Sequence, residues 1–353
     1  RLAAADTKYL ALQDEYALVL EQKNMEITEK ELKRYDSVGS VERKVRPSND
    51  FTSEVFDFFF NEEQLQGVKL PFNQFDNKFR LRGEELTILA GINGAGKSLL
   101  ASQCLLSAME QGHKCLSVSL EMSPKAQLAR MWRQASLQNK PDMEAGLQFT
   151  KWSNDKLWFY DQHGTVNPRV LLSVMRYAYD KLGIDVFLVD SLMTMNMNSD
   201  DWNGQKQVVQ GLANTARQLG VHVILVAHAR KGQSVKDRLD KWSVAGSADI
   251  TNRADNVIIL GRVHDDPEID AYLSLCKARH FDGAEMELDL KLDLASMNYY
   301  HDGQLPKAIL KTPPKGGVMG ELDRVALTEG INENIIRKVQ GQKTSAMGQM
   351  SVN

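Results

Sequence analysis

Residues 89–103 read LAGINGAGKSLLASQ. Small and apolar residues lead in as the end of a buried strand would. Gly91, Gly94 and Gly96 come next, and Lys97 and Ser98 then open an apolar stretch at helical spacing. The stretch matches GxxxxGK[ST] in full, with the strand before it and the helix after it that the pattern requires. Glycines let a backbone wrap a phosphate chain with its amides pointing inward, and a helix start adds partial positive charge there. We therefore take Gly91, Asn93, Gly94, Ala95, Gly96, Lys97, Ser98 and Leu99 as the cradle of a nucleoside triphosphate, ATP or another. Lys97 reaches the β and γ phosphates, and the Ser98 hydroxyl completes the shell of a Mg²⁺ ion. A glycine turn that matches by chance is the alternative, and both flanks argue against it.

Magnesium also needs a carboxylate facing the loop. Residues 186–190, VFLVD, form an apolar strand ending in Asp190, which sets an acid at the carboxyl edge of a sheet. The alternative is an Asp that caps the next turn. Residues 117–131, SVSLEMSPKAQLARM, close another strand with Glu121 and pass directly into a helix. A carboxylate at the end of a strand beside the phosphate loop can orient and deprotonate an attacking water. A helix-capping Glu is the plainer reading.

Composition narrows the classes. The chain has 353 residues, a formal net charge of −3 and 25% charged residues, so it carries no overall basic field, and any grip on nucleic acid has to be local. Cys104, Cys115 and Cys276 are scattered and suggest neither a disulfide framework nor a zinc knuckle, which fits a reducing cytoplasm. No apolar run approaches the ~20 residues that span a bilayer, and no signal-peptide pattern opens the chain, so no membrane partner is expected. The chain starts at Arg1 rather than Met, which leads us to expect processing or a further segment upstream.

Along the chain, Tyr9, Leu12, Tyr16, Val19 and Leu20 recur at helical spacing, and TEKE at 28–31 has a capping-box arrangement opening a second helix to about Tyr35. SVGSVERKVRPSND at 37–50 reads as a linker. We expect a helical amino-terminal segment over 1–50, the main domain over 51–302, and a partly irregular carboxy-terminal extension over 303–353. Within the main domain, short apolar runs at 85–90, 115–119, 157–160, 186–189, 223–226, 257–260 and 272–275 alternate with helical stretches. That alternation predicts an α/β fold with a mostly parallel central sheet covered by helices on both faces. EMELDLKLDL at 285–294 alternates with period two and predicts an antiparallel strand at the sheet edge.

SLEMS, placed after the phosphate loop, is where the chain resembles a known family, the DnaB-type replicative helicases, whose core is a RecA-like ATPase fold. The resemblance implies that Glu121 is the catalytic base. GVHVILVAHARKGQ at 220–233 ends a strand at His228, followed by Arg230 and Lys231. This arrangement is similar to that of the bacteriophage primase-helicases and the mitochondrial helicase Twinkle, and it implies that His228 senses the γ-phosphate. Otherwise His228 is a surface histidine. VAGSADITNRADNVIILGR at 244–262 resembles the family's fourth motif, which implies that Arg262 packs on the nucleotide base; an Arg solvating a strand end is the alternative. SLCKARHFDGAE at 274–285 resembles the segment that reaches a neighbouring subunit's ATP site, so Arg279, with Lys277 beside it, is read as an arginine finger and implies a ring, hexameric by resemblance. Two surface cations would look the same in isolation. No primase motif is present, and the stripe at 8–22 suits the family's subunit-docking helix or a helix folding back on its own domain.

A motor of this kind holds one DNA strand with loops that follow its catalytic strands. Residues 193–207 follow Asp190, and residues 229–243 follow His228 with Arg230, Lys231, Lys236, Arg238 and Lys241. Such a local basic patch suits sequence-independent contact with single-stranded DNA, although a charge run is also an ordinary solvated face. The expectation is an ATP-dependent replicative helicase, phage-like, that works with primase, polymerase or loader proteins. Its rivals are a RecA-type recombinase or filament ATPase and a RecA-fold scaffold that uses ATP for assembly.

Overall fold

The structure is a computed structural model that describes residues 28–36, 66–162, 166–192, 202–229, 238–244, 248–263, 266–281 and 286–310. The stripe at 8–22, the linker at 37–50, Arg230, Lys231, Lys236, residues 193–201 and the chain beyond Leu310 lie outside the described residues.

Nine strands form one sheet. In chain order they are β1 (Leu86–Gly91), β2 (Cys115–Ser119), β3 (Leu157–Phe159), β4 (Val186–Asp190), β5 (His222–His228), β6 (Asn256–Arg262), β7 (Ala271–Ala278), β8 (Met286–Asp293) and β9 (Asn298–Tyr300). Their order across the sheet is β3-β2-β4-β5-β1-β6-β7-β8-β9. The first six are mutually parallel and the last three antiparallel.

The uninterrupted apolar runs follow from burial on both faces. In β1, Leu86, Ile88 and Ala90 face one apolar cluster while Leu89 faces the other; in β5, Val223, Leu225 and Ala227 oppose Ile224 and Val226 in the same way. One cluster is closed by α2 (Lys97–Glu110), α3 (Pro124–Ser136) and α4 (Met143–Ser153), the other by α5 (Pro168–Leu182), α6 (Trp202–Leu219) and α7 (Ala248–Arg253). Helix starts are set locally: Ser123 accepts from the Ala126 amide at 3.3 Å and Asp142 from the Ala145 amide at 2.8 Å, each meeting an otherwise unpaired donor. The TEKE box forms as expected and opens α1 (Glu29–Asp36), with the Thr28 amide donating to Glu31 at 3.0 Å. That helix rests on α5, where the Tyr35 hydroxyl donates to Asp180 at 2.7 Å and its ring meets Tyr177 edge-on.

Two expectations about the sheet are corrected. The run at 272–275 belongs to β7, which is antiparallel to β6, because residues 263–270 are too few for the crossover that a parallel pair needs. The strand expected at the sheet edge, β8, pairs with β7 on one side and over Lys291–Asp293 with β9 on the other, so the edge lies one strand further out. Its alternation is as expected, with Leu288 and Leu290 buried and Glu287 and Asp289 exposed.

Candidate functional site

Parallel strands end along a common edge, and that geometry assembles the site. Gly91 pairs with His228 and Ser119 with Asp190, so the ends of β1, β5, β2 and β4 stand side by side. The Lys97 ammonium, buried at the start of α2, donates to the carbonyls of Gly91 and Ile92 at 2.9 Å each and lies 3.5 Å from His228 Nδ1. The Ser98 hydroxyl donates to Asp190 Oδ2 at 2.6 Å. Ser191 donates to Glu121 Oε1 at 2.6 Å, and His228 Nε2 lies 3.7 Å from the same oxygen. Lys97, Ser98, Asp190, Glu121 and His228 thus form one connected group.

Burial sets their charge states. Desolvation raises the Asp190 carboxyl above its ordinary value, partly offset by the Ser98 hydrogen bond. It lowers Lys97, against the pull of Asp190 and Glu121. His228 is lowered by burial and then by Lys97, so the ring is neutral at pH 7 and available as a hydrogen-bond partner.

The loop is also shaped for phosphate. Gly96 has φ +91°, and a Cβ there would lie 2.1 Å from the Tyr299 hydroxyl; a Cβ on Gly91 would lie 2.3 Å from the Leu260 carbonyl. The Tyr299 hydroxyl donates to the Ala95 carbonyl at 2.7 Å, and Gln103 holds the Tyr299 backbone through its amide at 3.0 Å and its carbonyl at 2.8 Å. Burial pushes the Tyr299 phenol up to about 12, so it stays a donor. Arg262 ends β6 exposed and within reach of that phenol.

Sequence reasoning missed both Tyr299 and Arg130. Arg130 lies nine residues past Glu121 on α3, in the field of Asp190, and its Nη1 is buried with no hydrogen-bond partner among the described residues. Burial lowers its guanidinium. A buried donor left unmade costs ~1–3 kcal/mol, and an anion at the loop would satisfy it. The glycine cradle, the two cations and the Ser98–Asp190 pair together fit a triphosphate with Mg²⁺. The Arg130 position in SPKAQLARM was visible in the sequence, but nothing there distinguished it from a surface arginine.

Lys277 and Arg279 lie elsewhere. Lys277, at the end of β7, pairs with Val257 at the start of β6, so both cations stand at the amino edge of the parallel strands. The register skips Cys276 as an extra residue, and such a bulge re-aims the side chains after it. Lys277 donates to the carbonyls of Thr251 and Ala254 at 2.9 and 2.7 Å, capping α7. Arg279 pairs with buried Asp255 at 3.0 Å and donates to the Asn252 carbonyl at 2.9 Å; Arg217 reaches the same Asp255 oxygen at 3.0 Å. Of the expected DNA-contacting cations, Arg238 pairs with Glu287 and lies 4.9 Å from the Tyr272 ring centroid, while Lys241 lies 5.4 Å from that of Trp242. Cys104 and Cys115 are free and buried, and burial lifts the Cys104 thiol to about 12, which leaves it inert as a nucleophile. No described helix is long and apolar enough to cross a membrane.

Comparison with known proteins agrees with this geometry. The family model described as an AAA domain matches residues 77–234. Two replicative DNA helicases named DnaB, both from Helicobacter pylori, are 24% identical to the chain, covering 73% of it and 57% of their own length. The chain therefore spans little more than half the length of these relatives. Among solved structures, an ATPase domain determined on its own superposes with a TM-score of 0.63 at 17% identity, covering 73% of this chain and 99% of that one. A DnaB-like replicative helicase, solved for its interactions with primase, gives 0.61 at 17% identity over 84% of this chain and 76% of that one. A KaiC-like protein from Pyrococcus horikoshii gives 0.52 at 18% identity over 67% of this chain and 99% of that one, which reflects the shared fold. The order of the motifs, the curated relatives and the structural neighbours place this RecA-like ATPase domain with the DnaB-type helicase family.

Proposed function

We propose that the chain is the motor of a ring-shaped replicative helicase that hydrolyses ATP between subunits, moves along single-stranded DNA and opens duplex at a fork. Mg²⁺, when bound, supplies charge neutralisation at the phosphates. Ser98 and Asp190 hold it, Lys97 and Arg130 bind phosphate oxygens, and Tyr299 keeps the loop in shape. Glu121, held by Ser191, accepts the proton of the attacking water, and neutral His228 between Glu121 and Lys97 registers whether the γ-phosphate is there. Arg262, beside the loop, is the side chain offered to the base.

One observation carries the assembly. Arg279 is fixed at the amino edge of the sheet, whereas the phosphate loop of the same chain lies at the carboxyl edge. Arg279 can therefore serve only another copy's nucleotide, which calls for subunits packed head to tail, and such packing closes into rings. A hexamer, a primase, loader or polymerase partner, and a cytoplasmic, phage-like setting belong to the same reading. The structural relative solved with its primase interactions supports the partner class.

The test is ATP-dependent strand separation on a forked duplex, with Lys97→Ala as control. Unwinding that vanishes in the variant is the expected result. ATP turnover stimulated by single-stranded DNA without fork opening would overturn the helicase reading in favour of a recombinase or filament. Turnover unchanged by Glu121→Gln would favour a scaffold that uses ATP for assembly.

A further inference from the structure

Trp242 is 60% exposed, the most exposed aromatic among the described side chains. A single apolar residue at a surface is ordinary. Three observations separate this one. The first is rigidity. Trp242 sits in a short 3₁₀ turn, Lys241–Ser243, closed by a reciprocal capping box in which Asp240 accepts from the amides of Trp242 and Ser243 at 3.0 Å each while the Asp240 amide donates to the Ser243 hydroxyl at 3.0 Å. The Leu239 amide donates to the Tyr272 hydroxyl at 2.7 Å, tying the turn to β7.

The second is charge. Lys241 lies 5.4 Å from the centre of the Trp242 ring, and residues 229–243 carry five cations, Arg230, Lys231, Lys236, Arg238 and Lys241, against two acids, Asp237 and Asp240. Aromatic faces set among cations are the chemistry that holds single-stranded nucleic acid, in which cations follow the phosphates and rings stack on bases.

The third is connection to the nucleotide. Val244, two residues on, bridges to Ala229, and the Ala229 amide donates to the Gly91 carbonyl at 2.9 Å, an oxygen that also accepts from Lys97. The turn that carries Trp242 is therefore joined by backbone hydrogen bonds to the first residue of the phosphate loop and to the residue after His228.

We propose that Trp242 is a stacking platform for a base of single-stranded DNA, set on a rigid turn that moves with the phosphate loop. The inference rests on the helicase reading and adds to it a grip on bases beside the grip on phosphates.

The test measures binding of the full chain, with a non-hydrolysable ATP analogue, to a labelled oligothymidylate and to an abasic deoxyribose-phosphate strand of equal length. Trp242→Ala is expected to weaken binding to oligothymidylate by about 5- to 100-fold. Its affinity for the abasic strand, and the slope of affinity against salt, stay as in wild type, since neither depends on a base. Trp242→Phe retains most of the affinity, which separates stacking from misfolding. Equal weakening on both strands, no weakening on either, or a smaller oligomer by sedimentation for Trp242→Ala would overturn the proposal, the last making Trp242 a subunit contact. If wild type binds oligothymidylate with a steep salt dependence and Trp242→Ala binds equally well, stacking alone fails. If wild type does not bind it at all, the helicase reading fails too.

Discussion

Glu121 illustrates what a single residue contributes. Its carboxylate is held at 2.6 Å by Ser191, and His228 stands 3.7 Å away. Glu121→Gln keeps the shape and removes the proton acceptor, so ATP turnover should fall ~10²–10⁴-fold while equilibrium nucleotide binding is kept. Steady-state hydrolysis and a binding titration on the same preparation check both halves. Gly96 makes a different demand, because its φ of +91° and the Tyr299 hydroxyl leave no room for a Cβ. Tyr299→Phe, which deletes only the hydrogen bond to the Ala95 carbonyl, should lower unfolding free energy by about 1 kcal/mol and weaken nucleotide binding. Urea titration reads the first effect, and loss of neither quantity would remove the bracing role. Gly96 was legible as part of a motif. Tyr299 was not, because the contact joins residues 204 positions apart and no local pattern encodes such a distance.

At the scale of elements, β5 begins with a histidine where an aliphatic residue would be ordinary. His222 is buried, its Nδ1 donates to the Arg82 carbonyl at 2.6 Å, and desolvation pulls its pKa from 6.5 down to about 4, with the Arg82 hydrogen bond and Asp255 pulling the other way. Between those two values the unfolded chain binds more protons than the folded one, so stability is complete above pH 6.5 and declines as pH falls towards 4. The loss from this group is on the order of 3 kcal/mol. His222→Gln should flatten the difference between urea midpoints at neutral and acid pH relative to wild type; an unchanged difference would assign the acid loss to other groups. The apolar runs marked the strands of the parallel half within a few residues, because burial on both faces leaves an unbroken hydrophobic signal. The same signal could not report strand direction. The direction of β7 follows from the length of the 263–270 connection, and the cover on β8 comes from β9, whose three residues are too short to show a period.

At the scale of the whole molecule, the two halves of the proposed catalytic centre stand on opposite edges of one sheet. Mixing Lys97→Ala subunits with Arg279→Ala subunits should therefore restore part of the ATPase activity, since the first can lend Arg279 to the second's intact phosphate loop. Each variant alone should be lower by ~10³–10⁵-fold for the arginine and at least as much for the lysine. Turnover measured against mixing ratio checks this, and activity absent at every ratio would rule out shared sites. By itself, the amino-acid sequence determined the nucleotide cradle, the α/β class and the carboxylates at the strand ends, because each is written in neighbouring residues: a glycine spacing, an apolar run, an acid where the run stops. Only the tertiary structure decided that Ser98 meets Asp190, that Arg130 is buried in the field of Asp190, that Tyr299 braces the loop, and that Asp255 holds Arg279 away from its own loop. Those relations depend on strand order and register, which arise when two apolar faces close at once over distant parts of the chain.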